Sequence, residues 1–120
     1  MSSAIFDGLT ILHERTGPDG WEARVQVEAT SLAFSGHFEG DPVLPGIAHL
    51  VLVGHALRAI GGAAATLREI PHVRFREAVR PGDVLDVRVA RPDGAGRSRF
   101  DVRLGGSLAV TGTARTRTDG

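Results

Sequence analysis

From Trp21 to Ala29 apolar and polar residues alternate without a break, with Trp21, Ala23, Val25, Val27 and Ala29 on one side and Glu22, Arg24, Gln26 and Glu28 on the other. A period of two belongs to a strand with one buried face. Leu9 to Arg15 reads as a weaker strand, and Gly17-Pro18-Asp19-Gly20 supplies the turn residues that pair the two as a hairpin. The period of two returns in the second half. Val73 and Phe75 alternate with Arg74 and Arg76, and Leu85, Val87 and Val89 alternate with Asp86 and Arg88. Phe100, Val102 and Leu104 mark a further strand, and Leu108, Val110, Gly112 and Ala114 the last. Pro81-Gly82-Asp83, Pro92-Asp93-Gly94-Ala95-Gly96 and Gly105-Gly106 punctuate this meander, and Thr116 to Gly120 reads as a frayed polar tail.

One segment departs from the alternation. Ile47 to Ile60 is apolar almost all round, as a buried helix is, and Gly61 and Gly62 stop it. Strands with one apolar face form an antiparallel sheet that needs a cover, and a buried helix needs a sheet. The predicted class is therefore α+β, a curved antiparallel sheet wrapped around one long central helix. With 120 residues and no repeat or linker, the whole of 1–120 is expected to form a single domain.

Composition narrows the function classes. Fourteen basic residues balance fourteen acidic ones, so the chain as a whole has no electrostatic attraction to nucleic acid or to an anionic membrane. No cysteine is present, which removes disulfides, thiolate metal sites and a cysteine nucleophile and suits the cytoplasm. A spanning helix needs about 20 apolar residues. Ile47 to Ile60 is shorter and carries His49, His55 and Arg58. Met1 to Asp7 lacks the pattern of a signal peptide, so a cytoplasmic protein without membrane association is expected.

The candidate chemistry precedes the helix, in Gly36-His37-Phe38-Glu39-Gly40-Asp41-Pro42-Val43-Leu44-Pro45-Gly46. His37 is a candidate general base, because an unperturbed histidine has a pKa of about 6.5 and is available uncharged near neutrality. Pro42 and Pro45 stiffen the turn. Gly46 begins the helix, where free backbone N–H groups and the helix dipole can hold a developing oxyanion and a missing side chain lets a substrate approach.

These residues resemble the active-site signature of the bacterial 3-hydroxyacyl-[acyl-carrier-protein] dehydratases, a hotdog-fold family of fatty-acid and polyketide synthesis. Val73-Arg74-Phe75-Arg76-Glu77-Ala78-Val79-Arg80-Pro81-Gly82-Asp83 resembles the family's segment after the central helix, so the likeness runs from about Gly36 to the last strand. It implies the hotdog fold and a lyase that removes water from a 3-hydroxyacyl thioester. In that role His37 takes the α-proton and Gly46 donates to the thioester oxygen. Phe38, Val43, Leu44, Pro45 and Val51 would line a narrow apolar tunnel along the helix. No cofactor or metal is implied, since the substrate arrives on the phosphopantetheine of an acyl carrier protein.

The resemblance also exposes a gap. The family carries Asp or Glu five residues after the Pro-Gly glycine, as the acid that protonates the leaving hydroxyl, and here that position is Val51. Losing a positioned acid typically costs about a hundred- to ten-thousand-fold in rate. His55, one helical turn beyond Val51 where the family commonly has glutamine, is the candidate substitute donor, with a satisfied core histidine as the plainer reading. His49 lies on a different face. Protomers of the family dimerise, each site joining the histidine of one chain to the acid of the other. A homodimer of this chain would lack that acid, whereas a heterodimer with an acid-bearing paralogue would keep one complete site. A catalytically silent acyl-binding subunit and a hotdog thioesterase are the alternatives.

Other motifs add little. His49 and His55 are six apart, not the i, i+4 spacing of a zinc pair, and Gly94-Ala95-Gly96 opens no helix. No Gly-x-Ser-x-Gly is present, and His13 and His72 sit on or beside strands without an assigned role. Arg74, Arg76 and Arg80 can meet an acidic carrier protein or its phosphate, or can be ordinary solvated strand charges.

Overall fold

The computed structural model describes residues 3–6, 9–28, 46–62 and 65–117. Among the described residues seven strands and one helix follow one another as β1 (Ser3–Phe6), β2 (Leu9–Gly17), β3 (Gly20–Val27), α1 (Gly46–Gly61), β4 (Thr66–Phe75), β5 (Val84–Ala90), β6 (Arg97–Leu104) and β7 (Ser107–Arg117). They form one antiparallel sheet in the order β1-β2-β3-β5-β6-β7-β4, so β1 and β4 are its edges. The hairpin, the meander and the helix all stand where the hydrophobic pattern places them.

The alternating residues decide which face of the sheet is covered. Trp21, Ala23, Val25 and Val27 of β3, Leu85, Val87 and Val89 of β5 and Phe100 and Val102 of β6 are buried together with Ala48, Leu52, Val53, Ala56 and Leu57 of α1. Each fully buried Leu or Val contributes about 1.5–3 kcal/mol relative to exposure. The opposite face is charged. Arg15 pairs with Glu22 at 2.7 Å and Arg24 with Asp86 at 3.1 Å across neighbouring strands, surface contacts that individually stabilise by about 1 kcal/mol or less.

The glycine stops act as expected. Gly62 has φ +88° and donates its N–H to the carbonyl of Arg58 at 2.8 Å, closing α1 in a left-handed cap. Gly105 and Gly106 both have positive φ, which permits the two-residue turn between β6 and β7.

Three details differ from the pattern. β4 begins at Thr66, well before Val73, and contains Pro71; an edge strand tolerates the missing N–H, and the ladder to β7 shifts register between Glu69 and His72. Alternation puts Phe75 on the covered side, yet it is 52% exposed, because it stands near the end of that edge with no further strand beyond it among the described residues. The polar tail starts later than Thr116, whose N–H donates to the Gly96 carbonyl at 2.8 Å and holds β7 in place to Arg117.

Candidate active site

His37, Phe38, Val43, Leu44 and Pro45 lie outside the described residues. What the structure places is the helix that follows them. Gly46 is the first residue of α1, so its amide belongs to the first turn, where N–H groups have no partner within the helix. That turn carries no acidic residue.

Along α1, Ala48, His49, Leu52, Val53, Ala56 and Leu57 are buried, whereas Val51 and His55 are only partly covered. Val51 and His55 therefore share a helix flank turned away from the middle of the core, one turn apart. Position 51 brings no titratable group to that flank. His49 points into the protein, 2% exposed, and its Nδ1 has no hydrogen-bond partner among the described residues. Burial pushes its pKa down to about 4, so it is an uncharged imidazole at neutral pH.

His55 has a partner that periodicity did not reveal. Its Nε2 lies 3.1 Å from Oε1 of Glu14, and the indole Nε1 of Trp21 donates to the same oxygen at 2.9 Å. The imidazole also stands edge-on to the indole, with centroids 5.6 Å apart at 66°. Burial alone would raise the pKa of Glu14, but the hydrogen bonds from Trp21 and His55, with the charge of His55, outweigh it and hold the carboxyl below its ordinary value.

The local fold explains how a glutamate reaches the helix side. Leu9 and Ile11 of β2 are buried opposite Val27 and Val25, so unbroken alternation would send His13 and Arg15 inward and Glu14 outward. The register shifts between Ile11 and His13, with Leu12 as the extra residue. Beyond that bulge His13 is opposite Arg24 and Glu14 is opposite the buried Ala23, which turns Glu14 to the inner face. The consecutive apolar residues Ile11-Leu12 are the only trace of this in the sequence.

The remaining candidates stay apart from this cluster. His13 and His72 are exposed on their strands. Arg74 and Arg76 are exposed at the end of β4 and just beyond it, and Arg80 is exposed in the connection to β5. A separate depression at the Gly17–Gly20 turn is lined by Arg15, Glu22, Arg88, Arg99 and Asp101, mostly charges of the solvent face.

Known proteins share this architecture and part of this sequence. The 3-hydroxyacyl-[acyl-carrier-protein] dehydratase FabZ of Latilactobacillus sakei is 35% identical over 74 residues, 56% of this chain and 53% of that protein. The chain thus spans about half the length of the curated relatives it matches. Among solved structures, the dehydratase heterocomplex ApeI:P from Xenorhabdus doucetiae superposes with TM-score 0.80 at 21% identity, over 88% of this chain and 95% of that one. An uncharacterized protein from Erwinia carotovora subsp. atroseptica superposes with TM-score 0.69 at 22% identity, over 98% and 90% of the two chains. These likenesses are to hotdog proteins, and the expected hotdog fold is the fold found. A model of the ApeI-like family, described as ApeI dehydratase, matches residues 13–113, and the chain belongs to that family.

Proposed function

We propose that this protein works as a dehydratase on 3-hydroxyacyl thioesters carried by an acyl carrier protein, with His37 as base and the Gly46 amide as oxyanion donor. The observation that carries the reading is the start of α1 at Gly46, directly after the His37 motif, in a chain that belongs to a dehydratase family. Taking the α-proton leaves negative charge on the thioester oxygen, and an N–H at the positive end of a helix stabilises it in the transition state more than in the ground state. An acyl chain would lie along the flank of α1 that carries Val51. The exposed Arg74 and Arg76 give an acidic carrier protein a basic edge to meet.

Assembly completes the site in this reading. Among the described residues β4 has no partner on its outer edge, with Phe75 half exposed near its end, and a second protomer there would cover both. The structure of similar fold is a dehydratase heterocomplex, which supports pairing with a paralogue, and Val51 is the reason such a paralogue would have to bring the acid; a homodimer is the simpler form.

The test is turnover of a 3-hydroxyacyl carrier-protein thioester by the chain alone and mixed with candidate paralogues. His37→Ala is expected to abolish dehydration in the absence of a partner. Dehydration that His37→Ala leaves unchanged overturns the assignment. Thiol release without enoyl product would make the protein a thioesterase, and acyl binding without turnover in any mixture would make it a silent subunit.

A further inference from the structure

Position 51 brings no acid to α1, yet one turn further the structure places an imidazole backed by a carboxylate. We propose that Glu14, Trp21 and His55 form a proton-donating unit that replaces the missing acid: His55 protonates the departing hydroxyl, and Glu14 is the positioning residue that holds and stabilises its imidazolium. The proposal rests on the dehydratase reading above and names this chain's own donor, in place of an acid supplied by a paralogue.

Three independent features of the chain converge on it. The bulge between Ile11 and His13 spends an extra residue, Leu12, and its effect is to turn one carboxylate toward the helix. That carboxylate is oriented from two sides, since the same Oε1 receives the Trp21 indole at 2.9 Å and faces His55 Nε2 at 3.1 Å. A stiff, almost fully buried tryptophan therefore fixes Glu14, which fixes the imidazole, the arrangement by which a carboxylate sets the tautomer of a working histidine. Finally, the His55 side chain keeps 28% of its surface open, on the flank shared with Val51, so it is reachable by a substrate in a way that His49 is not. For packing alone, an apolar pair would fill the space between β2 and α1 without desolvating a charge.

The chemistry balances. The α-proton goes to the base, the C–H electron pair becomes the new Cα–Cβ π bond, and the Cβ–O bond breaks with both electrons on oxygen. The proton that makes this oxygen into water leaves the imidazolium through Nδ1, the nitrogen that does not face Glu14, and His55 ends uncharged. Exchange with solvent returns a proton to His55 and removes one from the base. Among the described residues, the charged group that faces His55 is Glu14 from β2; β3 presents the uncharged Trp21, and on its own helix the exposed Arg58 follows three residues on.

The experiment follows conversion of a 3-hydroxybutanoyl N-acetylcysteamine thioester to the enoyl product by the full chain across pH, in wild type, His55→Gln, Glu14→Gln, Glu14→Asp and the double variant His55→Gln/Val51→Glu. Glu14→Gln is isosteric and retains an acceptor for Trp21, so it separates charge from packing. His55→Gln is expected to lower kcat by roughly a hundred- to ten-thousand-fold with little change in KM. Glu14→Gln is expected to lower kcat and move the alkaline limb of the rate profile to lower pH, because the imidazolium loses its counter-charge, and Glu14→Asp should restore the limb. Placing a carboxylate at position 51 in the double variant should recover turnover. A kcat unaffected by His55→Gln, or an alkaline limb that Glu14→Gln leaves in place, overturns the proposal. Absence of turnover by wild type, alone or with a partner, overturns the dehydratase reading instead.

Discussion

The imidazole of His49 meets the ring of Phe75 with centroids 5.9 Å apart at 53°, joining the first turn of α1 to β4, an edge strand among the described residues. One ring is nearly sealed and the other is half exposed. This contact places a titratable ring of the helix start beside the exposed end of β4.

Acid should therefore loosen the fold through His49. Its pKa in the folded protein is held at about 4 by burial, below the ordinary value of 6.5, so the unfolded chain takes up the proton first as pH falls. The stabilisation is complete above about 6.5, declines from there to about 4, and amounts to about 3 kcal/mol over that window. Urea midpoints measured across it should fall steeply in wild type and less steeply in His49→Leu. Equal slopes would show that His49 titrates as an ordinary exposed histidine.

Phe75 should matter for assembly more than for folding. It is 52% exposed on an edge strand, so Phe75→Glu removes little burial within the protomer while placing a charge where a second protomer would pack. Under the proposed pairing along β4, sedimentation at several concentrations is expected to show a shift from dimer toward monomer. An unchanged distribution would place the contact on another surface.

Two glycines separate backbone crowding from open turn. A Cβ on Gly112 of β7 would stand 2.5 Å from Phe100 Cζ and 2.6 Å from the His72 carbonyl oxygen, and neither the packed ring nor the strand can yield freely. Gly112→Ala should destabilise by about 1–3 kcal/mol, the usual range for overpacking. Gly94 has nothing within 4 Å of such an atom, so Gly94→Ala should melt close to wild type. Comparable losses for both would contradict the tight crossing of β6, β7 and β4.

Trp21 is the single tryptophan, and its ring stands against His55. Because an imidazole held against an indole quenches its emission, His55→Gln should brighten the fluorescence of the folded protein. Glu14→Leu, which removes the acceptor of the indole N–H, should shift the emission maximum. Spectra identical to wild type in both variants would contradict the Glu14–Trp21–His55 contacts.

Much of the fold was legible because burial leaves a periodic trace. The alternation from Trp21 to Val27 and from Leu85 to Val89 marks strands that have one wet face, and the apolar run of α1 marks a helix enclosed by them. Gly62, Gly105 and Gly106 could be placed as stops because only certain backbone angles close a helix or a two-residue turn. β4 was only half visible, since its first residues include Pro71 and follow no clear alternation; hydrogen bonds to β7, and not side-chain pattern, hold them as a strand.

The sequence by itself determined the hotdog architecture, the His37-to-Gly46 motif, and the valine where an acid is expected at position 51. Those are properties of residue type and spacing along one chain. Only the tertiary structure decided that Glu14 faces the helix, that Trp21 and His55 share its carboxylate, and that His49 is sealed against Phe75. The physical reason is the period of two: a single inserted residue, Leu12, reverses the facing of every residue after it in β2, and whether a strand absorbs such an insertion as a bulge depends on the register of its neighbour.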